Sequence, residues 1–364
     1  MITSVSDIKA IVDRIYNKSI VSWSRSWYSK RDINTNVYRR KSLTKQQKAE
    51  IVNYWNNYCH LTKTSWKFFE FYNYLCEEKS LLKYYIPEDI YYSKIDTYFS
   101  DVKACEAIDD KNMYDLYFPE VKRPLTVVRK MGGVFLNENY EKIDFDSAKS
   151  LICNKEGGVI VKVSKNSMSG NGISFFDSQT SDIAVLDDIL LKNDNLIVQE
   201  VLKQHSTLAT IHAQSVNTIR IMTCVMNGNV NVVSAVLRMG TGAARVDNAH
   251  SGGIAIGIND DGTLKTFARN LYGDKFECHP SGVSFSNVLI PSFNEMKNTA
   301  KLLTFRLGAN TKLVSWDFSV DMNGNPVLIE ANMTYGGVDV HQLTNGPIFG
   351  EKTTKVLNEV FGIA

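Results

Sequence analysis

A chain of 364 residues, 44% hydrophobic and 22% charged, is long enough to bury two or three lobes around more than one core, which excludes a disordered tail. Its 41 Lys and Arg nearly cancel 39 Asp and Glu, so the formal charge of +2 gives no general argument for nucleic acid, and any anion site must be local. Six cysteines without a Cys-x-x-Cys pair speak against a zinc ribbon or a disulfide framework and suit a reducing compartment.

Along the chain, "MITSVSDIKAIVDRIYNK" lacks the apolar core of a signal peptide, and nowhere do about 18 apolar residues run together, so the expected location is the cytoplasm. Residues 23–48 mix Lys and Arg with aromatics; they could hold an anionic glycan or a lipid carrier, or form a solvated helix face. "KAEIVNYWNNYCHL" and "SWKFFEFYNYLCEEKSLLKYY" space their apolar residues at three and four, which predicts helices up to about residue 105. Beyond it come short β-rich runs, among them "PLTVVRK", "GGVIVKVS", "NLIVQEVL", "TIRIMTCVM" and "VNVVSAVLRM", joined by turns such as "MNGNV" and "NDDGTL". The fold class is α+β on antiparallel hairpins, with a mostly helical N-terminal region.

Three stretches carry candidate chemistry. In "VIVKVSKNSMSGNGISFF", Lys162 lies on a β run before a small-residue loop, 167–172, whose backbone N–H groups could approach a polyphosphate; a simple hairpin connection is the alternative. The P-loop signature and Gly-x-Gly-x-x-Gly are absent, which removes support from the usual α/β nucleotide folds. In "LIVQEVL", Gln199 and Glu200 end an apolar strand and could present an edge to an adenine ring, or simply close the strand in polar residues. In "SWDFSVDMNGNPVLIEAN", two strand patterns flank a turn. Glu330 and Asn332, two apart, leave one pleat face, where Asp317 can join them. Three oxygen-bearing side chains suit Mg²⁺; the alternative is a solvated sheet face. Repulsion among such oxygens predicts that Glu330→Gln leaves stability unchanged or raises it.

The order of lysine strand, small-residue loop, "VQEVL", "NTIRI", "AVLRM", "DNAHSGG" and Asp317…Glu330-x-Asn332 resembles the ATP-grasp superfamily over roughly residues 105–345. It is similar to ribosomal-protein S6 glutamate ligases and D-alanine–D-alanine ligases, and most similar to the sugar-transfer-associated ATP-grasp family, to which "YYIPEDIYYSKIDTYFS" and "DDKNMYDLYFPEV" extend the likeness. The resemblance implies two α+β lobes sandwiching ATP: 106–202 with the phosphate loop and 203–364 with the metal site. The helical region 1–105 is then a candidate for binding the acceptor. It implies that Lys111 and Lys162 contact the nucleotide, and that Ser169, Gly170, Asn171 and Gly172 form a lid over the β- and γ-phosphates. Glu200 would accept from the adenine amine beside Gln199, with Leu202 giving a backbone contact, while Asn217 or Thr218 falls at the ribose position. Arg220 and Arg238 would face the transferred phosphate or the substrate carboxylate, Asn248 and His250 would line the reaction centre, and Asp317, Glu330 and Asn332 would hold two Mg²⁺ ions. Where D-alanine ligases carry an arginine two residues before the metal Asp, this chain has Ser315, so the positive charge is expected from Arg220.

The function so implied is an ATP-dependent carboxylate–amine ligase that works through an acyl phosphate. Its setting would be capsule, O-antigen or related polysaccharide assembly, with a hexuronic acid as one candidate carboxylate. A kinase acting on a sugar hydroxyl and a nucleotide-binding scaffold without turnover are the alternatives.

Overall fold

The structure, a computed structural model, describes residues 38–165, 172–308 and 310–363. Two threonines start the helical part. Thr44 and Gln47 form a reciprocal capping box for helix α1, Lys45–Trp55, and Thr62 with Ser65 does the same for α2, Lys63–Leu75. A helical run follows from Glu88–Ile90 through a π-helical turn at Tyr91–Ile95 to Asp96–Phe99, and then α3, Val102–Ile108. Of the basic aromatic segment, residues 23–37 lie outside the described residues. Just after them Tyr38 packs edge-on against Phe71 and Tyr272, and Arg39 pairs with Asp274 at 2.8 Å.

The first lobe is a five-stranded antiparallel sheet, built from β1 (Thr126–Met131), β2 (Val134–Leu136), β3 (Val159–Val163), β4 (Ile173–Phe176) and β5 (Leu196–Glu200) in the order β2-β1-β5-β3-β4. Alternation divides its residues. Val159, Val161 and Val198 join a core with Leu186 and Leu190, whereas Ile160, Lys162, Ile197 and Gln199 are cross-strand neighbours on the opposite face. Helices α4 (Phe145–Cys153) and α5 (Ile183–Lys192) cover the apolar face through Ala148, Ile152, Leu186 and Leu190.

After α6 (Ser206–Ile211), the second lobe is a seven-stranded antiparallel sheet: β6 (Thr218–Met226), β7 (Asn229–Met239), β8 (Ile254–Ile258), β9 (Leu264–Arg269), β10 (Lys275–Phe276), β11 (Leu313–Val320) and β12 (Pro326–Asn332), ordered β10-β9-β8-β7-β6-β11-β12. Asn227 and Gly228, at φ 51° and 72°, make the tight turn between β6 and β7 that their Asn-Gly sequence predicts. Helix α7 (Phe293–Leu307) packs on one face through Phe293, Met296, Ala300 and Leu303. The C-terminal helices α8 (Asp339–Asn345) and α9 (Thr353–Phe361) bury Leu343, Val356 and Leu357 on the other side.

The cores redraw the expected divisions. Trp55, Phe69, Tyr91 and Ile95 share one apolar cluster with Met222, Cys224, Val236 and Val340, so the N-terminal helices are built onto the second lobe. Tyr114, Phe118 and Val121, inside the range 106–202 assigned to the first lobe, are buried in the second lobe's core beside Trp316. Composition changes near residue 105, but burial follows which sheet face the aromatic rings cover. Among the described residues no helix is long and apolar enough to cross a membrane.

Candidate active site

A cleft of about 880 Å³ runs between the two sheets and reaches the N-terminal helices. Its floor on the second lobe is set by register. Asp317 on β11 pairs with Arg220 on β6 at one side and with Glu330 on β12 at the other, so the three side chains stand in a row on one pleat face. Ser315 opposite Asn332 extends that face by one residue pair. The sequence pattern placed Asp317, Glu330 and Asn332 together, and the structure brings them together.

The electrostatics are set by close pairs. Arg220 grips Asp317 with both arms, Nε to Oδ1 at 2.6 Å and Nη2 to Oδ2 at 2.7 Å, and Arg238 adds a contact to Oδ2 at 3.2 Å. Burial works against the Asp317 carboxylate, but the guanidinium beside it outweighs burial and holds the group below the usual carboxylate range. Burial likewise opposes the Arg220 charge, and Asp317 raises it above the ordinary arginine value. Lys111 Nζ lies 2.8 Å from Glu330 Oε1. Burial opposes its charge too, yet the Glu330 carboxylate holds the ammonium above the usual lysine value. Lys162, also buried, is pulled down to about 8, chiefly by desolvation.

These pairs bear on one expectation. Glu330 is held by a lysine and does not stand in uncompensated repulsion, so its neutralisation would strip Lys111 of an anionic partner and is expected to lower stability. The donor set still suits Mg²⁺: two carboxylates and an amide oxygen on one face, with Asn332 Nδ2 turned to the Ser315 carbonyl at 3.1 Å and so leaving its Oδ1 to point elsewhere. Among the described residues no group of three or more His, Cys, Asp and Glu gathers, in keeping with a set that has only two carboxylates.

The remaining expected residues divide. Lys111, Lys162, Glu200, Leu202 and Thr218 line the cleft, as do Arg220, Arg238 and Asn248. Asn217, the other residue expected near the ribose, is fully buried and does not line the cleft; its Nδ2 donates to Gln204, Leu208 and His212. Glu200 stands on the pleat face of Val159 and Val198, and its carboxylate pairs with Lys155 at 2.8 Å. Gln199 shares the face of Lys162 and is bound to it. Ser169, Gly170 and Asn171 lie outside the described residues, as does the side chain of His250; Gly172, at φ 80°, leads into β4.

Sequence reasoning missed much of the wall. Ile160 and Ile329 are apolar cleft residues indistinguishable by pattern from core positions. Arg245 stacks 3.9 Å over the Phe175 ring and so joins the second lobe to the first. Tyr92 and Tyr335 lie stacked at 6.0 Å at the far end, and the Tyr335 backbone N–H donates to the buried Asp96 at 3.0 Å. Tyr335 sits at φ 54°, a conformation that costs a non-glycine residue energy and that these two contacts support.

A sequence profile for the family described as sugar-transfer associated ATP-grasp matches residues 96–358. No curated protein matches the chain. Among solved structures the chain is similar to biotin carboxylase from Campylobacter jejuni, at 13% identity and TM-score 0.43 over 73% of this chain and 49% of that one. It is similar to the VanG D-Ala:D-Ser ligase from Enterococcus faecalis, at 12% and 0.44 over 72% and 64%, and to D-alanine-D-alanine ligase from Helicobacter pylori, at 15% and 0.39 over 69% and 58%. The match spans less than two thirds of each of those chains.

Proposed function

The chain belongs to the sugar-transfer associated ATP-grasp family, and from that premise we propose that it is an ATP-dependent carboxylate–amine ligase. The observation that carries this reading is the row Arg220–Asp317–Glu330 across three strands, with Lys111 and Lys162 above it in one cleft. Bringing a carboxylate to a triphosphate sets anion against anion, and a site for that step must concentrate positive charge where water is excluded.

Lys162 and Lys111 would draw the phosphates, while Ile160 and Ile329 line the cleft from opposite lobes and suit a flat base. Thr218, on the cleft wall, would offer its hydroxyl to the ribose. Arg220 and Arg238, fixed by Asp317, would orient the carboxylate whose oxygen attacks the γ-phosphorus; ADP leaves and an acyl phosphate remains. The amine nitrogen then attacks the acyl carbon, the C–O bond to phosphate breaks, and the amine's proton is lost to base, giving the amide and inorganic phosphate. Glu330, Asn332 and Asp317 are the residues that would hold Mg²⁺, whose positive charge would offset that of the phosphates when bound. The description of the family supports a role in polysaccharide assembly, with a uronic acid as one candidate carboxylate.

Hydroxylamine trapping tests this. The protein is incubated with ATP, Mg²⁺ and a panel of uronic and amino acids; a hydroxamate identifies the activated carboxylate, and ADP release should require that acid. Stable phosphorylation of a sugar lacking any carboxylate would replace the ligase with a kinase.

A further inference from the structure

Gln199 is 7% exposed and stands behind Lys162 rather than on the cleft surface. In the antiparallel pairing of β3 and β5, Ile160 faces Gln199 and Lys162 faces Ile197, so Lys162 and Gln199 are diagonal neighbours on one pleat face. Lys162 Nζ donates to Gln199 Oε1 at 3.2 Å, and Gln199 Nε2 donates to the Pro124 carbonyl at 3.3 Å. The second bond decides the first. A flipped amide would set oxygen against the Pro124 carbonyl and its NH₂ against an ammonium, so only the observed orientation satisfies both ends.

We infer that Gln199 is a positioning residue that aims the Lys162 ammonium at the nucleotide phosphates and makes no contact with adenine. A lysine side chain is long and flexible, and holding it in one rotamer before ATP arrives removes an entropic cost from binding. An ammonium has three protons; one goes to Gln199 and two remain for phosphate oxygens. The neutral amide matters as well. A carboxylate there would orient the lysine but cancel the charge that attracts phosphate, whereas an amide orients it without neutralising it. The inference rests on the proposed reading of the cleft as an ATP site.

The test is calorimetric titration of ATP and adenosine into the unaltered protein, Gln199→Met, Lys162→Met and the double variant. Gln199→Met should weaken ATP about tenfold, in line with the loss of a hydrogen bond to a charged group, and leave adenosine unchanged. Added to Lys162→Met, it should cost nothing further. An equal loss on adenosine would mean an adenine contact, and fully additive losses would mean that Gln199 acts independently of Lys162; either overturns the inference. Should Gln199→Met lose its cooperative melting, Gln199→Glu keeps the shape and must still weaken ATP while sparing adenosine. Unchanged ATP affinity in that variant also overturns it. Failure of the unaltered protein to bind ATP is a separate result, which removes the ATP-site reading itself.

Discussion

Arg220 and Asp317 are register partners on β6 and β11, and the guanidinium holds both carboxylate oxygens, at 2.6 and 2.7 Å. The pair puts a buried guanidinium in the row without any cation at position 315. Ser315 is 1% exposed beneath Gly336, and even a Cβ on that glycine would come within 2.6 Å of Ser315 Oγ. A long side chain at 315 has no room, and the cation comes from the neighbouring strand instead.

Removing that cation should leave a buried carboxylate with only Arg238 to compensate it. Arg220→Met is expected to cost about 3 kcal/mol of stability, the low end for breaking a buried pair, and to abolish turnover. Pairing it with Asp317→Leu should recover much of the stability and none of the activity. Urea denaturation checks the first part; a single variant as stable as the unaltered protein would show that the pair is not coupled in solution.

Glu330→Gln keeps shape and hydrogen bonding while removing the charge beside Lys111. Turnover should fall about 10²-fold or more, as for loss of one preorganised electrostatic group, and the Mg²⁺ requirement should rise. The melting temperature of the free protein should drop. Normal turnover with an unchanged Mg²⁺ dependence would return these residues to an ordinary polar sheet face.

Lys162, pulled down to about 8 by burial, should make ATP affinity depend on pH. The charged form attracts phosphate, so affinity should be level below that value and decline as pH rises through it. Lys162→Met should weaken ATP by about 1.5–3 kcal/mol at neutral pH and flatten the profile. Calorimetry between about pH 6.5 and 9.5 reads both; a decline that survives in the variant assigns the titration elsewhere.

Asp96 is fully buried, and burial pushes its carboxyl up to about 7. The fold therefore keeps a proton that the unfolded chain, with an ordinary aspartate, gives up near pH 4. Stability from this group is fully present below about pH 4 and is lost as pH rises to about 7. Asp96→Asn keeps an acceptor for the Tyr335 N–H and should be more stable than the unaltered protein above pH 7, with the advantage shrinking toward pH 4. Denaturation curves that stay parallel across this range would remove Asp96 as the cause.

By itself the sequence determined the local pieces. Alternation over 315–332, with Asn-Gly in the turn between them, placed Asp317, Glu330 and Asn332 on one hairpin face, because strand period and turn chemistry are properties of adjacent residues. The aromatic spacing of 48–85 predicted helices, and their threonine caps are readable in the same way. Tertiary structure alone decided what met across long separations. Arg220 reached Asp317, Lys111 reached Glu330, and Tyr335 settled on Asp96, in each case because two distant segments bury their apolar faces in a common core. It also decided which face of β5 Gln199 and Glu200 each took. Gln199 and Glu200 are adjacent, so the pleat sends one to Lys162 and the other to Lys155, and no feature of "VQEVL" says which strand lies where.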